Sequence, residues 1–166
     1  MIQVYVGNLG AYNRGFLTGE WLELPMDNEE LEKTINTILS PIDEEYAIFD
    51  SECDYFEISE YDNVFRINEK AKTLEELDEY ELKEFKAISE YIPDFNEAIN
   101  ILKSQNYSYL SDVSNEKELG EYVVNNGLFG ISIPEALMSY IDYESIGRDW
   151  AIDYNFTSDG GAICLY

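Results

Sequence analysis

Hydrophobic positions along the chain change their period several times, and each change marks an element. The β-branched and aromatic run IQVYV near the N-terminus predicts a strand, the Gly/Asn-rich GNLGAYNRG a loop, and the alternating EWLEL a second strand that Pro25 stops. Asp27 and Glu30 then form a capping box. Leu31, Ile35, Ile38 and Leu39 recur on one helical face until Ser40-Pro41 ends it. With EYAIF as a third strand, the opening segment reads as a small α/β unit with an antiparallel sheet.

The period then becomes helical. Asp62 is the expected cap for VFRINEKAK. Asp78 and Glu81 box a helix with Leu82, Phe85, Ile88 and Ile92 on one side, and Asp94 and Glu97 box another carrying Phe95, Ala98, Ile99 and Leu102. Helices this short need neighbours to be stable. Beyond Lys103 the pattern mixes again: YSYL predicts a strand, Ser114 a helix start, and Asn126-Gly127 its stop. Pro134 suits the first turn of a helix through EALMSYI, and DYESIGRDW offers another helical turn. In IDYNFTSDGGAICLY, Asp159-Gly160-Gly161 supplies the positive φ of a hairpin. The class is α+β, and 166 residues accommodate one domain or two or three small ones.

Charge changes this picture most. The chain holds 35 acids against 10 bases and no histidine, a formal net charge of -25. Its hydrophobic fraction of 45%, with 14 Tyr and 8 Phe, supplies core material, so the pI of 4.1 does not signal disorder. Residues 1–60 hold 14 acids and 2 bases, 61–103 hold 11 and 6, and 104–166 hold 10 and 2, so the excess runs from end to end rather than forming a tail. Exposed like charges about 6 Å apart in water repel by roughly 0.7 kcal/mol. Summed over many pairs, that is a large share of the ~5–15 kcal/mol a domain has, while solubility asks for a net charge of only about 2–8. A basic partner surface would account for the surplus.

Chemistry is narrowed in parallel. Without histidine, Ser-His-Asp and Cys-His catalysis are excluded. Cys53 and Cys164 form no CxxC motif and read as reduced, packed thiols. Gly7, Gly10 and Gly15 match neither GxGxxG nor a P-loop and read as turn glycines. Asp50, Glu52 and Asp54 imitate the start of a calcium loop, but Tyr55 stands where glycine is needed and Tyr61 where glutamate is. Asp153, Asn155, Thr157 and Asp159 fail at the same glycine. Paired carboxylates for hydrolysis are nonspecific among so many acids. No cofactor or metal is called for. The opening MIQVYVGN lacks the features of a signal peptide, and no run approaches a membrane span, so a cytoplasmic location is expected.

Asp27, Asp62, Asp78 and Asp94 read as caps, Glu30, Glu81 and Glu97 complete boxes, and Glu79 can pair with Lys83. Most remaining acids cluster between Asp43 and Asp62, between Glu75 and Glu84, and along the third segment. B-DNA carries about one charge per 1.7 Å of axis, so the net charge equals that of roughly 40 Å of duplex, about 12 base pairs. Acids at every second or third position of a strand or helix fall ~5–7 Å apart, near phosphate spacings. A DNA mimic, a generic acidic interaction module, a salt-adapted protein and a divalent-cation binder all stay open on composition alone.

The opening VYVGNLGAYNRGFLTGEWLELP, with YAIFDSECDYFEISEYDNV, PEALMSYIDYESIGRDWAIDY and the terminal DGGAICLY, resembles the ArdA family of antirestriction proteins over essentially the whole chain. The resemblance implies an elongated protein of three small domains: a mixed α/β domain over 1–61, a short-helix bundle over 62–103 and a mixed α/β domain over 104–166. It also implies carriage on bacterial mobile elements, homodimerisation through the C-terminal region, and a likeness to bent B-form DNA. Such proteins occupy the DNA-binding groove of type I restriction–modification enzymes, chiefly at the methyltransferase core. Restriction is thereby blocked, with modification open to the same block. The family's activity is binding, so no catalytic residue is carried over. The expected partner-binding acids are Asp43, Glu44, Glu45, Asp50, Glu52, Asp54, Glu57, Glu60, Asp62, Glu75, Glu76, Glu79 and Glu84, with Glu116, Glu118 and Glu121 in the third segment. In LFGISIPEALMSYI, Phe129, Ile131 and Ile133 are the expected dimer contacts.

Overall fold

A computed structural model describes residues 1–39, 41–127, 130 and 133–166. Its contacts divide the chain into two compact units, Met1–Leu82 and Lys83–Tyr166. The helical segment expected over 62–103 is shared between them.

In the first unit, β1 (Ile2–Asn8) is the centre of an antiparallel sheet in the order β2-β1-β3, with β2 at Gly19–Leu24 and β3 at Tyr46–Glu52. Period-two alternation places Ile2, Val4 and Val6 of β1 and Leu22 and Leu24 of β2 in the core. The β1–β3 register shifts between Tyr5 and Val6, so Phe49 is the extra residue of a bulge. Helix α2 (Asn28–Ile38) buries Leu31 and Ile35. Asp27 caps it by accepting from the Glu29 and Glu30 amides.

The GNLGAYNRG stretch, expected as a loop, instead forms a short helix, α1 (Leu9–Asn13). Asn8 is buried and accomplishes this from both ends: its Oδ1 accepts from the Ala11 amide, and its amide group donates to the Ile38 carbonyl. The second of those bonds spans 30 residues, which is why the local pattern does not announce it.

Helix α3 (Val64–Glu75) buries Val64, Ile67, Ala71 and Leu74. Its cap is Asn63, not Asp62; Asp62 instead accepts from the Ser59 amide. Asn68 is fully buried on this helix, accepting from the Met26 amide and donating to the Met26 carbonyl and the Asn28 side chain. These bonds fasten α3 to the chain between β2 and α2. Helix α4 (Glu79–Ser89) starts with a complete capping box: Asp78 accepts from the Tyr80 and Glu81 amides, and Glu81 accepts from the Asp78 amide.

In the second unit, α5 (Phe95–Ser104) buries Phe95, Ala98, Ile99 and Leu102, the four positions its period singles out, and Phe85 packs edge-on to Phe95 at 5.3 Å. Strand β4 (Tyr107–Leu110) pairs with β6 (Ala162–Leu165), which also pairs with β5 (Asn155–Phe156), in the antiparallel order β4-β6-β5. The β5–β6 hairpin turns at Gly160, φ 87°. Between the strands lie α6 (Glu116–Asn125), the short α7 (Glu135–Met138) and α8 (Tyr143–Trp150). Asn115 rather than Ser114 caps α6, because Ser114 turns its amide and hydroxyl onto Glu118. Helices α6 and α8 cross with backbones in contact at Gly120 and Gly147. Beside this crossing, Val113, Leu119, Val123 and Ala162 form a core against which Ile146, Trp150 and Phe156 pack.

A candidate protein-binding surface of carboxylates

Of all the acids, only Asp43 is buried; Asp62, Glu84, Glu116, Glu118 and Glu121 are half-buried, and every other one is exposed. Ten bases cannot neutralise 35 acids, even if each finds a partner. Arg14–Asp43, Lys72–Glu69, Lys86–Asp159 and Lys117–Glu121 are ion-paired, the last at a loose 3.8 Å. Surface pairs of this kind contribute little to stability, so the surplus charge is neither cancelled nor explained by them.

The expected partner-binding acids fall into three groups. Glu44, Glu45, Asp50, Glu52, Asp54, Glu57, Glu60, Glu75, Glu76 and Glu79 are exposed. On β3, Asp50 and Glu52 are two residues apart and so point the same way at a spacing of about 6.6 Å. Glu75 and Glu76 stand at the C-terminal end of α3, where the helix dipole disfavours a carboxylate by about 0.3–1 kcal/mol. Local stability gives no reason for acids there.

A second group has structural work. Asp62 accepts from the Ser59 amide, Glu84 from the Tyr107 hydroxyl at 2.6 Å, and Glu118 from the amide and hydroxyl of Ser114. Those Ser114 bonds hold the Glu118 carboxyl below the usual carboxylate range. Glu116 lies in the favourable first turn of α6, and Glu121 reaches Lys117.

Asp43 stands alone as the third case. Its side chain, 6% exposed, receives a two-pronged bond from Arg14 at 2.6 and 2.7 Å, and a side chain at Gly10 would collide with it. The hydrogen bond to Asp43 pushes the Arg14 guanidinium further above its already high range. Asp43 fixes α1 to the approach of β3 and is not displayed. The signal in the sequence was Arg14, one of only two bases among the first 60 residues.

Burial and nearby carboxylates together act on two phenols. Tyr109 is pushed up first by burial and then by the carboxylates of Asp159, Glu84, Glu90 and Asp112; Tyr61 is pushed up by its hydrogen bond to Glu60. Of the expected dimer contacts, Phe129 and Ile131 lie outside the described residues. Ile133 is half-buried and lines an open cleft with Val124, Asn126, Gly130 and Met138. Among the described residues no group of three or more Cys, Asp or Glu side chains is placed to hold a metal ion, and no helix is long and apolar enough to cross a membrane.

Sequence reasoning missed a feature of the first sheet. Its outer face carries Tyr5, Trp21 and Phe49, with Tyr12 of α1 against Phe49 at 4.9 Å. The available signal was the alternation in IQVYV and EWLEL, which puts Tyr5 and Trp21 on the side opposite the core valines and leucines.

A comparison with curated proteins returned no match. The family model described as antirestriction protein (ArdA) matches residues 4–163, nearly the full length of the chain. The chain therefore belongs to the ArdA family of antirestriction proteins.

Proposed function

We propose that this protein is a DNA mimic that occupies the DNA-binding groove of a type I restriction–modification enzyme, chiefly its methyltransferase core, and so blocks restriction. The observation that carries this reading is the exposure of nearly all the acids together with their excess over bases. Family membership implies antirestriction and, with it, interaction with a restriction–modification enzyme. Counterion release explains how the binding works: lysines and arginines of the groove, which normally exchange salt ions for phosphates, exchange them for carboxylates. The protein acts as a ligand in a bacterial cytoplasm and carries out no catalysis. A homodimer through the C-terminal region would double the displayed charge to the equivalent of about 25 base pairs.

Cleavage by a type I enzyme in the presence of graded inhibitor tests the reading. Single neutralisation of Glu44, Glu45, Glu52, Asp54, Glu57, Glu60, Glu75 or Glu76 to the amide should weaken inhibition only a few-fold. Neutralising all eight should weaken it by about 100-fold or more, since each lost contact removes part of the ion-exchange term. An eightfold variant that inhibits as well as the parent would refute the mimic.

A further inference from the structure

The outer face of the first sheet is built unlike an ordinary solvated face, which alternates to polar residues. Four rings run in a row: Trp21 lies edge-on to Tyr5 at 5.6 Å, Tyr5 is 6.5 Å from Phe49, and Phe49 is 4.9 Å from Tyr12. Two glycines make room for the row. A side chain at Gly7 would occupy the space of the Phe49 ring, and one at Gly19 would collide with the β1 backbone at Val6 and Gly7 and press on the Tyr5 ring at 3.0 Å. Trp21 is 42% exposed and Tyr12 53%, and Phe16 and Leu17, in the stretch between α1 and β2, are each 65% exposed. Contiguous exposed apolar surface of this kind marks interaction sites.

Carboxylates stand on the same face. Directly opposed residues in an antiparallel pair share a side, and the register sets Gln3 between Glu23 and Glu52, and Tyr5 between Trp21 and Asp50. Glu23, Asp50 and Glu52 are all exposed, and Glu23 is held toward the sheet by the Gln3 amide at 3.4 Å. Acids beside the rings select the occupant. An anionic membrane surface and a nucleic-acid strand are repelled, and a second copy would bring the same acids against these. A cation that also prefers to lie flat on a ring is attracted twice. That description fits the arginine guanidinium, which is weakly hydrated, stacks on aromatic faces and forks onto carboxylates; the compact, strongly hydrated lysine ammonium does this less well.

The geometry points to the outer face of β2-β1-β3 as an arginine-receiving docking face for a basic protein surface. It rests on the reading of the chain as a ligand for a DNA-binding protein and adds to it a contact that depends on residue type as well as on charge. Binding through this face keeps a salt-resistant part, because stacking is screened far less than exposed ion pairing.

The test uses the full chain labelled with fluorotryptophan, whose two resonances are assigned with Trp21→Phe. Nona-arginine and nona-lysine are titrated separately at about 0.15 M ionic strength. Nona-arginine should shift the Trp21 resonance saturably at a concentration at least 5-fold below that needed for nona-lysine. Tyr12→Leu, which leaves Trp21 as reporter, and Trp21→Leu, followed by peptide binding, should each erase that preference. Equal binding of the two peptides with an unmoved Trp21 resonance overturns the proposal. So does a Trp21 shift that follows protein concentration without peptide, which would name a second copy as the occupant. Competition between this protein and duplex DNA for a type I methyltransferase is scored separately. Competition without arginine preference removes the docking face alone, whereas arginine preference without competition removes the DNA-mimic reading alone.

Discussion

Replacing Gly147 with alanine separates backbone propensity from packing, because the two act in opposite directions. Gly147 lies within α8, where alanine is favoured over glycine by about 1 kcal/mol, so a helix free of neighbours would be stabilised. In this protein the added methyl carbon would overlap the Glu116 carbonyl oxygen and lie 2.8 Å from the Gly120 nitrogen, where ordinary contact between carbon and a heavy atom begins at about 3.5 Å. Both clashing groups are backbone atoms of α6, so no rotamer change can relieve them. The helices must move apart, loosening Leu119, Val123, Ile146 and Trp150 along their shared core. Overpacking costs about 1–3 kcal/mol, and the opened core adds roughly another 1–2 kcal/mol, leaving a net loss of about 1–4 kcal/mol after the propensity gain. In urea, with a slope of about 1–3 kcal/mol per molar, the unfolding midpoint should fall by about 1 M. Trp150, half-buried in α8, gives a local fluorescence readout. Gly120→Ala should behave alike, and the double variant should lose less than the sum, since one separation of the helices accommodates both methyls. A midpoint that rises with Gly147→Ala would refute the close crossing.

Three further outcomes follow from the structure. Asn68→Ala should destabilise the first unit by about 2–4 kcal/mol in urea unfolding, because it takes the Asn68 bonds from the half-buried Met26 amide and carbonyl and opens a small cavity. Arg14→Met should lower the unfolding midpoint more than Arg14→Met combined with Asp43→Asn, since the single change takes the two-pronged Arg14 bond away from a buried carboxylate that stays charged. On acidification, the stability contributed by Glu69, Glu118 and Asp142 is fully present above the unfolded carboxylate range of about pH 4. It is lost as pH falls through their lowered folded-state values, which Lys72, Ser114 and Ser145 respectively set first. The urea midpoint should therefore drop as pH falls below the ordinary carboxylate range of about pH 4, and Glu118→Gln should shrink that drop.

Local chemistry was legible in the sequence wherever a few neighbouring residues decide the outcome. Asp27, Asp78 and Asp94 cap the helices their spacing announces, and Phe95, Ala98, Ile99 and Leu102 are buried as their period requires. Where two capping side chains stand side by side, the sequence could not choose. Asn63 displaces Asp62 and Asn115 displaces Ser114, each because the passed-over residue has another bond to make. Contacts across long stretches of chain were hidden altogether. Nothing near Asn8 announces the Ile38 carbonyl that helps to order α1, and the run of acids from Asp43 to Asp62 looks uniform although Arg14 withdraws its first member. Exposure of most remaining acids was legible because a carboxylate without a base nearby in the sequence has no cheap way to be buried. The aromatic row was not, since its bulge at Phe49 and its room at Gly7 and Gly19 arise only when three strands meet.

The most direct measurement is the binding of this protein to a type I methyltransferase already holding a labelled duplex of its target sequence. Mutual exclusion is expected: the protein displaces the duplex completely, and excess duplex displaces the protein, with both affinities falling as salt rises. A stable ternary complex of enzyme, duplex and protein would contradict it.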